Sequence, residues 1–362
     1  MIPLRVLHVF ASDTPVAVRS GPPTLLPWLV GQGHAVAAVV VGDGPAPTPA
    51  AVLGRRLGWW NWLRTAKPAT IAAAGSWGAD LIHAHGAGAL VTACEVARGI
   101  AAPVVADPGV LSGASCLRLL RDQAIAAVVV PGEEHRATVC ADARILRERV
   151  VVLPPGVDAL VPAPRTVDGA LVVGARLRDR QSARILDHAM DALGHEGLAA
   201  SAVVSCAPGV HPVSSRVRIV RCGAELAECD VLVELCSADL PMSHVIDALA
   251  SGRPVVAVTA GILPELVQDG RSGLLIPADD AQALSGALRH LAAADRRSTQ
   301  AAGALQAARR HDIAIVGETL IGVYRAAIGG SAAAGATTWR RLSTERLHRR
   351  ISNRQRSVKP GA

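Results

Sequence analysis

Two aspartates with seven residues between them, Asp239 and Asp247, lie in the stretch 229–280. The local pattern places them either side of a loop-to-helix junction. An apolar strand predicted over 230–235 delivers the chain to Asp239. Beyond Asp247 come Gly252, a short apolar strand over 254–258 and a Gly/Pro turn at Gly261–Pro264. A carboxylate accepts two hydrogen bonds from a diol, so two acids at such a junction can grip a polyhydroxylated ligand. The free N–H groups of the helix start favour a negative group beside them. Acids also suit a helix start as plain solvated charge, and both readings stand at this point.

Other residue types suggest further chemistry. His83 and His85 alternate with apolar residues in Asp80-Leu-Ile-His-Ala-His85, so they share one side of a strand. That spacing fits a metal pair or hydrogen-bonded structural histidines, and the structural role is the expectation. The seven cysteines are odd in number and lack C-x-x-C spacing. Cys94, Cys140, Cys206 and Cys236 sit in apolar runs and are expected to be buried packing residues. No metal is expected.

The elements around these residues follow a doubly wound α/β pattern. A strand over 5–10, a Gly/Pro loop at Ser20–Pro23, a helix over 24–32 and a strand over 35–41 open the chain. Strands over 103–107, 126–130 and 150–153 continue it. A proline-rich stretch, 158–167, reads as a linker. A second unit opens with a strand over 170–177, and helices are predicted over 280–294 and 309–328. The length of 362 residues suits two domains, each able to bury a core. Only eight residues are aromatic, so Ala, Val, Leu and Ile must build those cores.

The net charge of +7 is localised. Residues 329–362 hold eight Lys/Arg and one acid, Glu345, and the rest of the chain is balanced. A neutral body argues against nucleic acid as a partner. Trp339, Leu342, Leu347 and Ile351 recur at helical spacing among the arginines, the pattern of a basic helix on an anionic membrane or of a solvated tail. Residues 52–68 interleave three tryptophans with four positive charges, which suits a membrane interface or a surface helix. No stretch of about 18 uncharged apolar residues occurs, and the N-terminal residues lack a signal-peptide pattern. A cytoplasmic protein, with a peripheral site at the inner face of the membrane, is the expectation.

The stretch 229–280 resembles the donor-binding core of glycosyltransferase family 4, the retaining GT-B enzymes. Asp239 and Asp247 fall on that family's two glutamates. Ala248, Ala250, Gly252, Pro254, Val255, Val256 and Ala257 follow in register, as do Gly261, Pro264, Glu265, Val267, Asp269, Gly270, Gly273 and Leu275. Leu4–Val9, Gly33-His34-Ala35-Val36 and Val150–Asp158 resemble N-terminal segments of the same family. The resemblance implies two Rossmann-like domains facing across a cleft. The N-terminal acceptor domain would span 1–163 and the donor domain 164–310. A helix over 311–328 would cross back, ahead of a flexible basic tail at 329–362.

The resemblance also implies transfer of a sugar from a nucleotide-sugar donor to a sugar, lipid-linked or small-molecule acceptor, with no tightly bound cofactor. Asp247 would take ribose hydroxyls. Asp239 would face the donor sugar or the developing oxocarbenium ion. Backbone N–H groups of Leu240, Met242 and Ser243 would reach sugar and phosphate oxygens, and the loop at Ser20 and Gly21 would lie near the diphosphate. Arg176 would stabilise the departing diphosphate. Gln181 stands where the family carries lysine, with Arg180 beside it as a substitute. The family's donor-facing histidine falls at Pro108 or Gly109, its double glycine becomes Ser20-Gly21, and its G-x-G becomes Cys206-Ala-Pro-Gly209. These departures support an alternative, a GT-B protein that binds a ligand or partner without catalysis. A sugar-nucleotide epimerase of this fold would need acids and a histidine that the sequence does not place.

Overall fold

The computed structural model of the chain describes residues 2–11, 25–41, 51–52, 68–108, 118, 120–121, 125–157, 170–220, 229–236 and 242–330. They form two compact units. One holds the described residues up to Gly156 and those from Ile313 onward; the other runs from Val157 to Asp312.

The first unit is built in the order β1 (Arg5–Ala11), α1 (Leu25–Gly31), β2 (Ala35–Val41), β3 (Ala51–Val52), α2 (Pro68–Trp77), β4 (Leu81–His85), α3 (Ala87–Ile100), β5 (Val104–Asp107), β6 (Ala127–Val130), α4 (Glu133–Asp142) and β7 (Val150–Val152). Its seven strands are all parallel, in the order β3-β2-β1-β4-β5-β6-β7. Near-continuous Val/Ala/Leu runs such as 35–41 make such strands because both sheet faces are covered. One face packs against α2, α3 and α4 through residues such as Ala74, Leu90, Val96 and Val139.

The second unit continues with β8 (Leu171–Leu177), α5 (Arg180–His195), β9 (Ala200–Cys206), β10 (Val217–Ile219), β11 (Val231–Glu234), α6 (Ser243–Ala250), β12 (Val255–Val258), α7 (Leu263–Leu266), β13 (Gly273–Ile276), α8 (Ala281–Ala292) and α9 (Ala294–Ala308). Six parallel strands run in the order β10-β9-β8-β11-β12-β13. Asp179 caps α5 by accepting from Ser182 N–H at 2.7 Å, and the Ser182 hydroxyl reaches back to complete a capping box. Asp280 caps α8 in the same manner, at 2.8 Å from Ala283 N. The expected doubly wound α/β architecture is therefore present in both units.

The last helix, α10 (Ile313–Ile328), belongs to the first unit. It buries Ile313, Val316, Leu320, Val323, Tyr324 and Ala327, a stripe at three- and four-residue spacing. That stripe covers the second face of the first sheet together with α1. Two sequence expectations change here. The helix begins at Ile313, not 309, because Arg309–His311 form a separate 3-10 turn. Helix α9 was not anticipated. Its buried face is Gln300, Ala301, Gly303, Ala304, Ala307 and Ala308, small residues that give almost no periodic contrast. Among the described residues, no helix is long and apolar enough to cross a membrane.

Close approach of β13 to β12 depends on a glycine. A Cβ at Gly273 would lie 1.9 Å from the Val255 carbonyl oxygen, so a side chain there must displace backbone. Gly273→Ala is expected to cost about 1–3 kcal/mol, read as a lower urea midpoint at unchanged slope. An unchanged midpoint would show that the edge strand yields freely.

Candidate functional site

In a doubly wound sheet, ligands bind beyond the carboxyl ends of the strands where the strand order reverses. In the second unit that point lies between β8 and β11, whose neighbours run off in opposite directions. Pairing of Val233 with Ala175 brings the next residues, Glu234 and Arg176, to the ends of adjacent strands. Arg176 is half-buried, and its Nε is enclosed without a hydrogen-bond partner among the described residues.

Helix α6 follows β11. Met242 is its N-cap residue and supplies no side-chain cap; the first turn carries no acid. Val245 and Ile246 N–H both donate to the Met242 carbonyl, so the opening N–H groups without an intrahelical partner are those of Ser243 and His244. The Met242 side chain is in the apolar core at 3% exposure, which limits its site role to backbone. Ser243 opens the helix and is half-buried. Asp247 lies one turn on. Its residue surface is solvent-exposed, yet desolvation by surrounding atoms raises its carboxyl above the usual aspartate value, while His244 and Arg176 pull it down. The structure therefore brings Asp247 and Arg176 into one electrostatic neighbourhood.

Arg180, the first residue of α5, is exposed and lines a recess of about 330 Å³ with Arg184, Asp187, Gly209 and His211. Gln181 beside it is also exposed. Asp239, Leu240, Ser20 and Gly21 lie outside the described residues, as do Gly109, the linker 158–167, the tail 331–362 and nearly all of 52–68. Pro108 is described; it is buried and brings no ionisable group.

Two further polar residues were missed by the sequence reading. Glu234 is 1% exposed, and its Oε2 lies 2.5 Å from His244 Nε2. The signal was available: an acid inside the apolar run Val-Leu-Val-Glu must have a partner.

The first unit has its own reversal point, between β1 and β4. Three buried histidines gather there. His8 pairs in register with His83, and His85 follows two residues on. His83 and His85 do share one side, with ring centroids 4.1 Å apart. His8 Nδ1 and His85 Nε2 are 2.8 Å apart, and His83 Nδ1 meets the buried Tyr324 hydroxyl at 2.7 Å. One nitrogen from each histidine falls within 4.8 Å of the others. Two nitrogens bound to one tetrahedral zinc stand roughly 3.3 Å apart. The 2.8 Å contact is shorter than that spacing and is a hydrogen-bond distance. Burial, and then the neighbouring imidazoles, hold His8 and His83 well below the ordinary histidine value.

Cys94 and Cys229 are buried, and desolvation raises each thiol to about 11. Cys140, Cys206 and Cys236 are half-buried, not buried as expected: Cys140 lies in the last turn of α4, Cys206 ends β9 and Cys236 lies beyond β11.

Residues 195–294 match the family described as "Glycosyl transferases group 1". That span contains β11, α6 and Asp247, but not Arg176. A D-inositol 3-phosphate glycosyltransferase of Stackebrandtia nassauensis is 40% identical over 113 residues, 30% of this chain and 26% of that protein. The chain thus aligns with about a quarter of that relative's length. A glycosyltransferase from Rickettsia africae superposes with a TM-score of 0.73 at 13% identity, over 91% of this chain and 100% of its own. The structure of Anabaena HepE in complex with UDP and glucose gives 0.68 at 20% identity, over 88% and 98%. These likenesses establish the fold as GT-B, two doubly wound α/β units.

The histidine cluster makes stability pH-dependent. The folded unit keeps His8 and His83 neutral, whereas the unfolded chain takes up protons below about pH 6.5. Stability is therefore lost as pH falls below that value, by up to about 1.4 kcal/mol per pH unit for each histidine. Urea unfolding between about pH 7.5 and 5 should show the loss, and His8→Gln should flatten it. An equal slope in the variant would assign the acid sensitivity elsewhere.

Proposed function

We propose that this chain is a glycosyltransferase that moves a sugar from a nucleotide-sugar donor to an acceptor. The observation behind this reading is the meeting of Arg176 and Asp247 at the strand-order reversal of the second unit, in the GT-B fold. A carboxylate there suits a ribose diol. A guanidinium with an unpartnered Nε suits a diphosphate that gains charge as the glycosidic bond breaks. The match of residues 195–294 and the motif register around Asp247 favour family 4 and a retaining outcome. UDP-, GDP- and ADP-sugars are the donors to test. Acceptors to test first are polyols and phosphorylated polyols, after the named relative, and then lipid-linked glycans.

The division of labour is testable. Asp247→Ala should weaken binding of the accepted nucleotide by about 10- to 150-fold, the worth of hydrogen bonds to a charged group, with an unchanged unfolding midpoint. Arg176→Ala should lower turnover at saturating donor by about 10²- to 10³-fold, as for loss of a group that acts mainly on developing charge. Isothermal titration and steady-state kinetics decide. Unchanged nucleotide affinity in the first variant removes Asp247 from the site. Nucleotide binding without transfer or donor hydrolysis by the unaltered chain would favour the non-catalytic alternative.

The basic tail suggests where the acceptor lies. Eight cations near an anionic surface contribute on the order of 1 kcal/mol each. Co-sedimentation with anionic liposomes should fall on deletion of 331–362 and weaken with salt. Failure of the full chain to bind such liposomes at low salt would point to a soluble acceptor.

A further inference from the structure

Glu234 ends β11 inside the protein, and a buried carboxylate needs donors. It has two. Oε1 accepts from Cys236 N–H at 3.0 Å, and Oε2 accepts from His244 Nε2 at 2.5 Å. A carboxylate only accepts, so Nε2 of the ring carries the hydrogen. The other nitrogen then accepts if the ring is neutral and donates if the ring carries a second hydrogen. His244 Nδ1 is turned away from Glu234, and it is buried without a hydrogen-bond partner among the described residues. The whole side chain is only 10% exposed. Buried polar atoms are nearly always satisfied, so an orphaned ring nitrogen at a strand-end crevice marks a place for a ligand atom.

The surroundings indicate which atom. Arg176, at the end of the adjacent strand, also has a buried and unpartnered nitrogen. His244 itself stands in the first turn of α6, an eight-residue helix whose start has neither an acid nor a side-chain cap. Two unpartnered side-chain nitrogens, both coupled to Asp247, thus accompany the positive end of the helix, a setting that favours an anion. Asp247 is one turn further along the same helix and interacts electrostatically with both His244 and Arg176.

We propose that a phosphate oxygen of the donor diphosphate binds at His244 Nδ1, each ring nitrogen then donating one hydrogen bond, to the ligand and to Glu234, with Glu234 as the positioning residue. This rests on the glycosyltransferase reading and adds a second cationic contact beside Arg176. The buried carboxylate orients the ring and balances its charge before the ligand arrives, so the contact needs little reorganisation.

Isothermal titration of the full chain with inorganic pyrophosphate, with UDP, GDP and ADP, and with their nucleosides tests it. His244→Gln retains an N–H for Glu234 but removes the Nδ1 contact. It should lose at least tenfold in affinity for pyrophosphate and for the nucleoside diphosphate that the unaltered chain binds. Affinity for the matching nucleoside should stay the same. Equal diphosphate affinity overturns the proposal. Pyrophosphate binding without any nucleotide binding would refute the donor reading and leave His244 to be judged on the pyrophosphate result. Binding of neither overturns both. Should His244→Gln fail to fold, the 15N signals of His244 in the unaltered chain give the answer: they should move on addition of pyrophosphate, and fixed signals overturn the proposal. Glu234→Gln should change the protonation pattern of those signals and weaken diphosphate but not nucleoside binding. A merely structural carboxylate would leave diphosphate binding unchanged.

Discussion

A parallel sheet covered on both faces leaves only its strand ends for polar chemistry, and both units of this protein obey that constraint. Residues such as Val6, Leu7, Val231 and Val233 are fully buried because helices lie on either side of them. Side chains that bind or react must then sit where strands stop and helices start. Arg176 and Glu234 lie at the ends of β8 and β11; His244 lies in the first turn of α6 and Asp247 one turn on. The reversal of strand order spreads the loops at that point and makes room for a ligand.

The same constraint treats buried polar groups in two ways. In the first unit, His8, His83, His85 and Tyr324 hydrogen-bond to one another, and burial displaces the titration of His8, His83 and Tyr324 away from neutral pH. Their contribution is to the core. In the second unit, Glu234 is satisfied and His244 only half so. Among the described residues, His8 and His83 in the first unit and His244 in the second each keep one ring nitrogen without a partner; His244 differs in standing in the first turn of a helix, beside Asp247.

Much of this was readable in the sequence. The strands came from uninterrupted apolar runs, and Asp247 and Arg176 from motif register. The shared side of His83 and His85 followed from strand alternation. What escaped has physical causes. Helix α9 hides its buried face in alanines and glycine. The His244–Glu234 contact joins residues ten apart on different elements, and no local periodicity reports such a pair. Met242 could be placed at the junction, but not its side chain in the core, because Met suits either setting.

Val157 N–H donates to His311 O at 2.7 Å, so the chain entering the second unit is bonded to the chain leaving it. Among the described residues the second unit is thus an insertion, while the first is assembled from two distant segments. During synthesis this ordering has a direct consequence. The inserted unit can complete its core as soon as residue 312 is free. The earlier-made unit must wait, one sheet face uncovered, for α10 to emerge with Tyr324. The segment translated first is the last to complete its core, and over that interval part of its apolar sheet face stays uncovered.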